Sequence, residues 1–220
     1  MAKFYIYKKN FALERGGPKR LRVLWSYGFR EVKIEFDGVE VGVIKNAHKS
    51  REGNIVTLPN GLILHIKKGK HPIWWNPLPA MKIKDQVIPG SADDPEWKII
   101  AAYNVFLYLG IANFGGAVYI QFTNPNLIPV LAINVIALMG LLAIVTALLI
   151  KSRSKAGFQL GILVVMISLM VGLYNMSNLR GFDLVEAIYE FFDTFLFAVE
   201  INGAYKAMEL LKKQAALSPI

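Results

Sequence analysis

The 220-residue chain contains no cysteine. That excludes disulfide cross-links, thiol nucleophiles and thiolate-held zinc or iron–sulfur centres. Histidine is scarce as well. His48 and His71 fall in loop-like stretches, while His65 alternates with Leu64 and Ile66 and is expected to face outward from a strand. Their spacing does not match a metal-ligand set. The sequence also lacks a glycine-rich phosphate loop ending in Lys-Ser/Thr, a G-x-G-x-x-G turn, an H-E-x-x-H helix and a G-x-S-x-G elbow. No catalytic residue, cofactor or metal is therefore assigned. The chain is read as a non-enzyme, with chemistry on membrane lipid at the inner surface as the enzymatic alternative. The opening stretch, MAKFYIYKKNFALERGG, has no apolar run of signal-peptide length, so the N-terminus is expected to stay on the side where it is made.

What is present divides into two unlike halves. Residues 1–98 hold 18 Lys/Arg against 10 Asp/Glu, and residues 99–220 hold 7 against 6. The basic excess thus lies in the polar first half, and the second half is apolar on the scale of membrane spans.

The first half alternates as strands do. EVKIEFDGVEVGVI places Val32, Ile34 and Phe36 against Lys33, Glu35 and Asp37, turns at Asp37-Gly38, and resumes at Val39, Val41 and Val43. An Asp-Gly pair between alternating runs favours a two-residue hairpin, because both turn positions need positive φ. IVTLPNGLILHI repeats the device at Asn60-Gly61, and AMKIKDQVIPG does so around Asp85-Gln86. With KFYIY and RLRVLWSY ahead of them, about eight short strands fit, the pattern of a small sandwich or partly closed barrel. The β domain is set at 1–92 and a Pro/Gly/Asp-rich linker at 93–98. Beyond it, four apolar stretches near the length needed to cross a bilayer occupy about 99–122, 127–150, 158–176 and 184–205 of a bundle ending at 214, with a tail over 215–220.

The connections predict orientation. QFTNPNL carries no Lys or Arg, KSRSKAG carries three, and Lys206, Lys212 and Lys213 follow the fourth stretch. Basic loops stay in the cytoplasm, so the β domain, the second loop and the C-terminus are all expected inside, which requires an even number of spans. The expected fold class is an α+β membrane protein, an N-terminal all-β sandwich followed by a four-helix transmembrane bundle.

The DG hairpin, the LPNG hairpin and MKIKDQVIPG together resemble, over residues 31–90, the β-sandwich of the Fas apoptotic inhibitory molecule family. That resemblance implies a sandwich and no active site. The whole chain, through INGAYKAMELLKK, also resembles bacterial membrane proteins with a cytoplasmic β domain and four spans.

Three sets of residues are candidates for function. The fourth stretch, LVEAIYEFFDTFLFAVEIN, carries Glu186, Glu190, Asp193 and Glu200 at spacings of four, three and seven, one stripe of a helix. Two central acids cost ~6 kcal/mol to insert and roughly ten apolar neighbours return ~5 kcal/mol, so the helix needs partners that shield its acidic face. The stripe is read as structural (protonated or interfacial acids), as an intramembrane cation or proton site, or as a protein interface. Lys67, Lys68 and Lys70, followed by Trp74 and Trp75, suit contact with an anionic lipid surface. The alternatives are a tryptophan in the sandwich core with lysines along a strand edge, or nucleic acid as the weaker reading. Small residues four apart, Ala112/Gly116, Gly157/Gly161, Ser168/Gly172 and Gly203/Ala207, predict close helix packing within or between chains. The expected function is membrane-anchored binding, regulation or scaffolding. In that reading the β domain engages a protein partner, a small ligand or a lipid surface, and the helices anchor and form a homo-oligomer. The alternative is a small homo-oligomeric cation channel or carrier lined by the acids of the fourth helix.

Overall fold

Alternation sets the strands of the N-terminal half, and turn chemistry sets their order. The computed structural model describes residues 5–50, 52–69, 78–123, 130–178 and 184–217. They form two compact units, Met1–Trp97 and Lys98–Ile220.

In the first unit, strands β1 (Tyr7–Phe11), β2 (Leu21–Trp25), β3 (Glu31–Phe36) and β4 (Val39–Lys45) form one antiparallel sheet in sequence order. Strands β5 (Asn54–Thr57), β6 (Ile63–Lys68), β7 (Pro79–Ile83) and β8 (Gln86–Val87) form a second. Each sheet is an uninterrupted meander. The inward rows follow from the register. Leu21 faces Phe36, Val23 faces Ile34 and Trp25 faces Val32, while Leu64 faces Ile83 and Ile66 faces Met81. These side chains from both sheets belong to one buried cluster, so the unit is sandwich-like. The outward row of the first sheet is charged: Lys33 bridges Glu35 and Glu40 at 3.0 Å each.

The turns show how closely local sequence dictates local structure. Asp37 and Gly38 both take positive φ (52° and 82°), as a two-residue hairpin demands. Asp37 is also clasped by Arg20, whose Nε and Nη2 donate to its carboxylate at 2.8 and 2.5 Å. Around Asn60-Gly61 the connection runs longer, over residues 58–62. Only Gly61 needs positive φ there, and Leu58 closes the loop by donating to the carbonyl of Leu62 at 2.8 Å. The third hairpin turns at Lys84-Asp85 (φ 46° and 63°), one residue ahead of the Asp85-Gln86 position expected from sequence.

Four helices follow: α1 (Pro95–Thr123), α2 (Val130–Lys151), α3 (Lys155–Asn178) and α4 (Leu184–Leu217). Residues 95–98, read from sequence as part of a linker, are the first turn of α1. Asp94 caps it, accepting from the Glu96 amide at 3.1 Å and the Gly90 amide at 2.6 Å, with Pro95 at the first helical position. Arg15 reaches Asp94 at 3.2 Å and also pairs with Glu96. The Lys9 ammonium lies 4.0 Å from the Trp97 ring centroid and donates to the Gly90 carbonyl at 2.9 Å. Burial holds the Lys9 ammonium below its usual lysine range.

In the second unit, a three-residue connection joins α2 to α3. Arg153 takes positive φ (58°), Ser154 donates to the Leu149 carbonyl at 3.0 Å, and the Ser154 hydroxyl accepts from the Ala156 amide at 3.2 Å. The core is a cluster that includes Phe106 of α1, Ala147 and Ile150 of α2, Phe158 of α3, and Phe197, Ile201 and Met208 of α4. Phe106 and Phe197 meet at 4.5 Å between ring centroids. Residues Pro95–Thr123 and Ile133–Lys151 are each long and apolar enough to cross a membrane, and Lys155–Met170 is a shorter apolar helix within α3. Helix α4 has 34 residues, against the 22 of the fourth stretch marked from sequence at 184–205.

Candidate functional site

Each candidate set has a different fate in the fold. The acid stripe lies on one continuous helix, α4. The side chains of Glu186, Glu190 and Asp193 lie outside the described residues; that of Glu200 is described, and its residue is 5% exposed. It shares the inward side of α4 with Phe197, Ile201 and Ala204. Thr194 and, on α2, Thr146 are the other polar residues buried in this unit among the described residues. A buried carboxylate must be hydrogen-bonded or protonated to offset its lost hydration.

The basic stretch is split. Lys67 and Lys68 lie on β6, while Lys70, Trp74 and Trp75 fall outside the described residues. Strand β6 pairs with β5 only as far as Ile66, opposite Asn54, and Lys67 and Lys68 beyond it pair with β7 alone, opposite Ala80 and Pro79. Among the described residues Trp25 fills the core, 1% exposed and stacked on Tyr7 at 5.8 Å. Lys67 has a second setting that its sequence neighbours did not reveal. Register places His65 opposite Lys82 and Lys67 opposite Ala80 on the outer face of the second sheet. These residues, with Glu52, Asp85 and Asp93 around them, line a pocket of about 180 Å³. The contributing positions lie up to 41 residues apart in the chain, from Glu52 to Asp93, so no local motif announces the pocket.

The small residues also separate into two kinds. Gly157 and Gly161 sit at tight crossings. A Cβ on Gly157 would come within 2.7 Å of the Ile150 amide nitrogen, and one on Gly161 within 2.5 Å of Ile201 Cδ1. Ala207 is buried and Ser168 half-buried. A Cβ on Gly116 or on Gly203 would meet nothing within 4 Å, and Ala112 is exposed. Gly172 lies among residues whose side-chain setting is not described. Another crossing, equally close, was not among the pairs marked from sequence. Gly110 of α1 lies against Gly140 of α2, where an added Cβ on Gly140 would stand 2.5 Å from the Phe114 nitrogen and 2.8 Å from the Gly110 carbonyl oxygen. The signal for it was present as a lone glycine in each of two apolar helices. Pairing across helices cannot be read from spacing within one.

A further concavity lies between α3 and α4, about 310 Å³ in volume, with walls from Phe158, Ile162 and Met166 facing Ile201 and Tyr205. Phe158 and Tyr205 meet edge to face at one end of it, 5.9 Å apart between ring centroids. Among the described residues, no group of three or more His, Asp or Glu side chains is placed to hold a metal ion. No family model, curated protein or solved structure matches this chain.

Proposed function

We propose that this chain is a membrane-anchored binding protein. Its helical unit crosses the bilayer four times, both termini lie in the cytoplasm, and the β unit presents a binding surface there. One observation carries this reading: the helices are apolar on the outside. The most apolar windows of Pro95–Thr123 and Ile133–Lys151 are only 22% and 33% buried, although their mean hydropathies are 1.5 and 2.7. The core helix of a water-soluble protein would be mostly buried at such hydropathy. Here Tyr108, Phe122, Leu138, Leu148, Ile162 and Met170 are all exposed, more large apolar side chains on the outside of three helices than a soluble monomer favours. Hydrocarbon is the solvent that suits it.

Two features support the finer topology. The α2–α3 connection gathers Lys151, Arg153 and Lys155, and the last turns of α4 carry Lys206, Lys212 and Lys213, the charges expected on the cytoplasmic side. A 34-residue helix is about 51 Å long, enough for α4 to cross and still extend beyond the hydrocarbon. Reporter fusions after residues 97, 155 and 214 are expected to read cytoplasm, and fusions at 124 and 180 the far side. A fusion at 214 that reads the far side would leave an odd number of spans and remove α4 from the membrane.

The β unit supplies the binding half of the proposal through the outer face of its second sheet. Ile55 and Ile63 are exposed there, beside His65, Lys67 and Lys82. A partner or ligand that meets this face is expected to shift the amide resonances of those strands. Shifts confined to the other sheet would move the site.

One observation favours a second reading. Glu200 is a buried acid on the inward side of a helix that also carries Glu186, Glu190 and Asp193 toward its N-terminal end, which suits a cation or proton path through a homo-oligomer. Glu200→Gln would then lower cation flux in liposomes at unchanged protein abundance. Wild-type protein that passes neither monovalent nor divalent cations across a range of pH ends that reading.

A further inference from the structure

We infer that the groove between α3 and α4 holds the acyl chain of an anionic phospholipid, with its headgroup on the lysines at the groove's mouth. The inference rests on the membrane reading above and adds a site to it. The groove runs from Phe158 to Met166 on α3, about 12 Å along the helix axis, and its walls are apolar apart from Asn202. Its long axis follows the helices, as a lipid chain does. Phe158 and Tyr205 mark one end, and Asn202 lies about one turn inside it, at the depth where a glycerol ester carbonyl would accept from the amide.

The charge at that same end selects the lipid. Lys155 lies one turn before Phe158 on the same stripe of α3, Lys206 adjoins Tyr205, and Lys212 continues the α4 stripe. All three are exposed. Glu209, three residues from Lys206, lies 3.7 Å from Lys212, and Glu200, beside the groove residues Ile201 and Asn202 in sequence, is buried. Among the described residues neither Lys155 nor Lys206 has a carboxylate within salt-bridge distance. Two exposed ammonium groups beside an apolar groove complement a phosphate joined to an acyl chain. A zwitterionic headgroup would place its own cation against theirs. A second copy of the chain is the other occupant an apolar groove could take, but its equivalent surface brings the same lysines and would repel.

The test uses the full-length protein purified in detergent and titrated with phosphatidylglycerol or phosphatidylcholine, with bound lipid counted by native mass spectrometry. Phosphatidylglycerol is expected to bind at least tenfold more tightly. The double variant Lys155→Gln/Lys206→Gln should weaken it about 30-fold, from roughly one unit of headgroup attraction per lysine, and should leave phosphatidylcholine unchanged. Ile162→Trp, which fills the groove, should reduce the retention of both lipids. Should that variant fail to fold, the charge variant stands alone, because its positions are exposed. Equal binding of the two lipids, or an unchanged preference in the double variant, overturns the inference, as does a dimer that excludes lipid and is dispersed by Ile162→Trp. The membrane reading fails separately: the wild-type chain would then wash off cell membranes in alkaline carbonate. Protein that stays in the membrane yet shows no lipid preference overturns the groove proposal alone.

Discussion

The two units use the same residue types in opposite ways. In the β unit the large side chains point inward: Leu21, Val23, Trp25, Val32, Ile34, Leu64, Ile66 and Met81 are all at most 1% exposed. The charges form an outer ladder. In the helical unit large side chains lie on the outside as well as in the core, and close inner contacts are made by Gly110, Gly140, Gly157 and Gly161. The first unit is organised by expulsion of apolar surface from water, which makes big core residues valuable. In the proposed membrane setting the second would gain little from such expulsion, and small residues that let backbones touch would become the valuable ones. Glycine shows the contrast within one residue type. At Gly38 it supplies positive φ in a turn with open space around it, whereas at Gly140 it supplies room.

The sharpest way to break the comparison is to truncate one large residue in each unit. Trp25→Ala should cost about 3–5 kcal/mol and unfold the β unit at a much lower temperature by circular dichroism. Phe122→Ala, at a residue 84% exposed, should leave the melting of the helical unit in detergent unchanged. A large loss at Phe122 would mean that protein, and not lipid, covers it.

The reverse experiment adds a methyl group to each unit. Gly140→Ala gains about 1 kcal/mol of helix propensity but forces the α1 and α2 backbones apart, and a net loss of roughly 1–3 kcal/mol is expected from overpacking. Gly42→Ala on β4 would meet Val56 Cγ1 at 3.5 Å, an ordinary contact, and should be neutral within about 0.5 kcal/mol. Thermal unfolding of the two variants side by side decides it.

A smaller effect concerns where the β unit ends. A fragment 1–97 should be more stable than 1–92 by about 1–2 kcal/mol, because the shorter piece loses the Asp94 anchor for Gly90 and Arg15 and the Lys9–Trp97 contact. Equal urea midpoints would show that the first turn of α1 lends the sheets nothing.

The smallest effects are titrations confined to the β unit. The hydrogen bond from Arg20 holds the Asp37 carboxyl below its ordinary value of 3.8, so its contribution is present above that value and is lost as pH falls below it. Burial and the 2.6 Å hydrogen bond to Glu31 raise the Tyr5 phenol above its ordinary value of 10.0. That contribution is complete below pH 10 and is lost as pH rises further. Asp37→Asn should flatten the acid limb of the stability profile, and Tyr5→Phe the alkaline limb.

Strand alternation and turn residues carried most of the β unit in the sequence, because both are properties of neighbours in the chain. Asp37-Gly38 fixed its hairpin outright. The third turn was placed one residue late because Lys84, unlike Asp85, is not a habitual host of positive φ. The start of α1 was obscured by PGSADDPEW, a composition that suits a linker. The same residues make a capped helix start once Arg15 and Lys9 are brought to Asp94 and Trp97 from about 80 positions away. The candidate sites were legible to the extent that they were local. The acid stripe could be seen as one helix face, but the burial of Glu200 and the pocket around Lys67 and Lys82 depend on partners that periodicity does not name.

The three-residue turn between α2 and α3 has a consequence for biosynthesis. With Arg153 in a left-handed conformation, α2 ending at Lys151 and α3 beginning at Lys155, the connection leaves neither helix slack to wait for the other. In a membrane the pair must leave the translocation machinery as a preformed hairpin. On the proposed topology its cationic tip, Lys151, Arg153 and Lys155, would stay on the side of the ribosome, and the orientation of α3 would be settled while α4 is still being made.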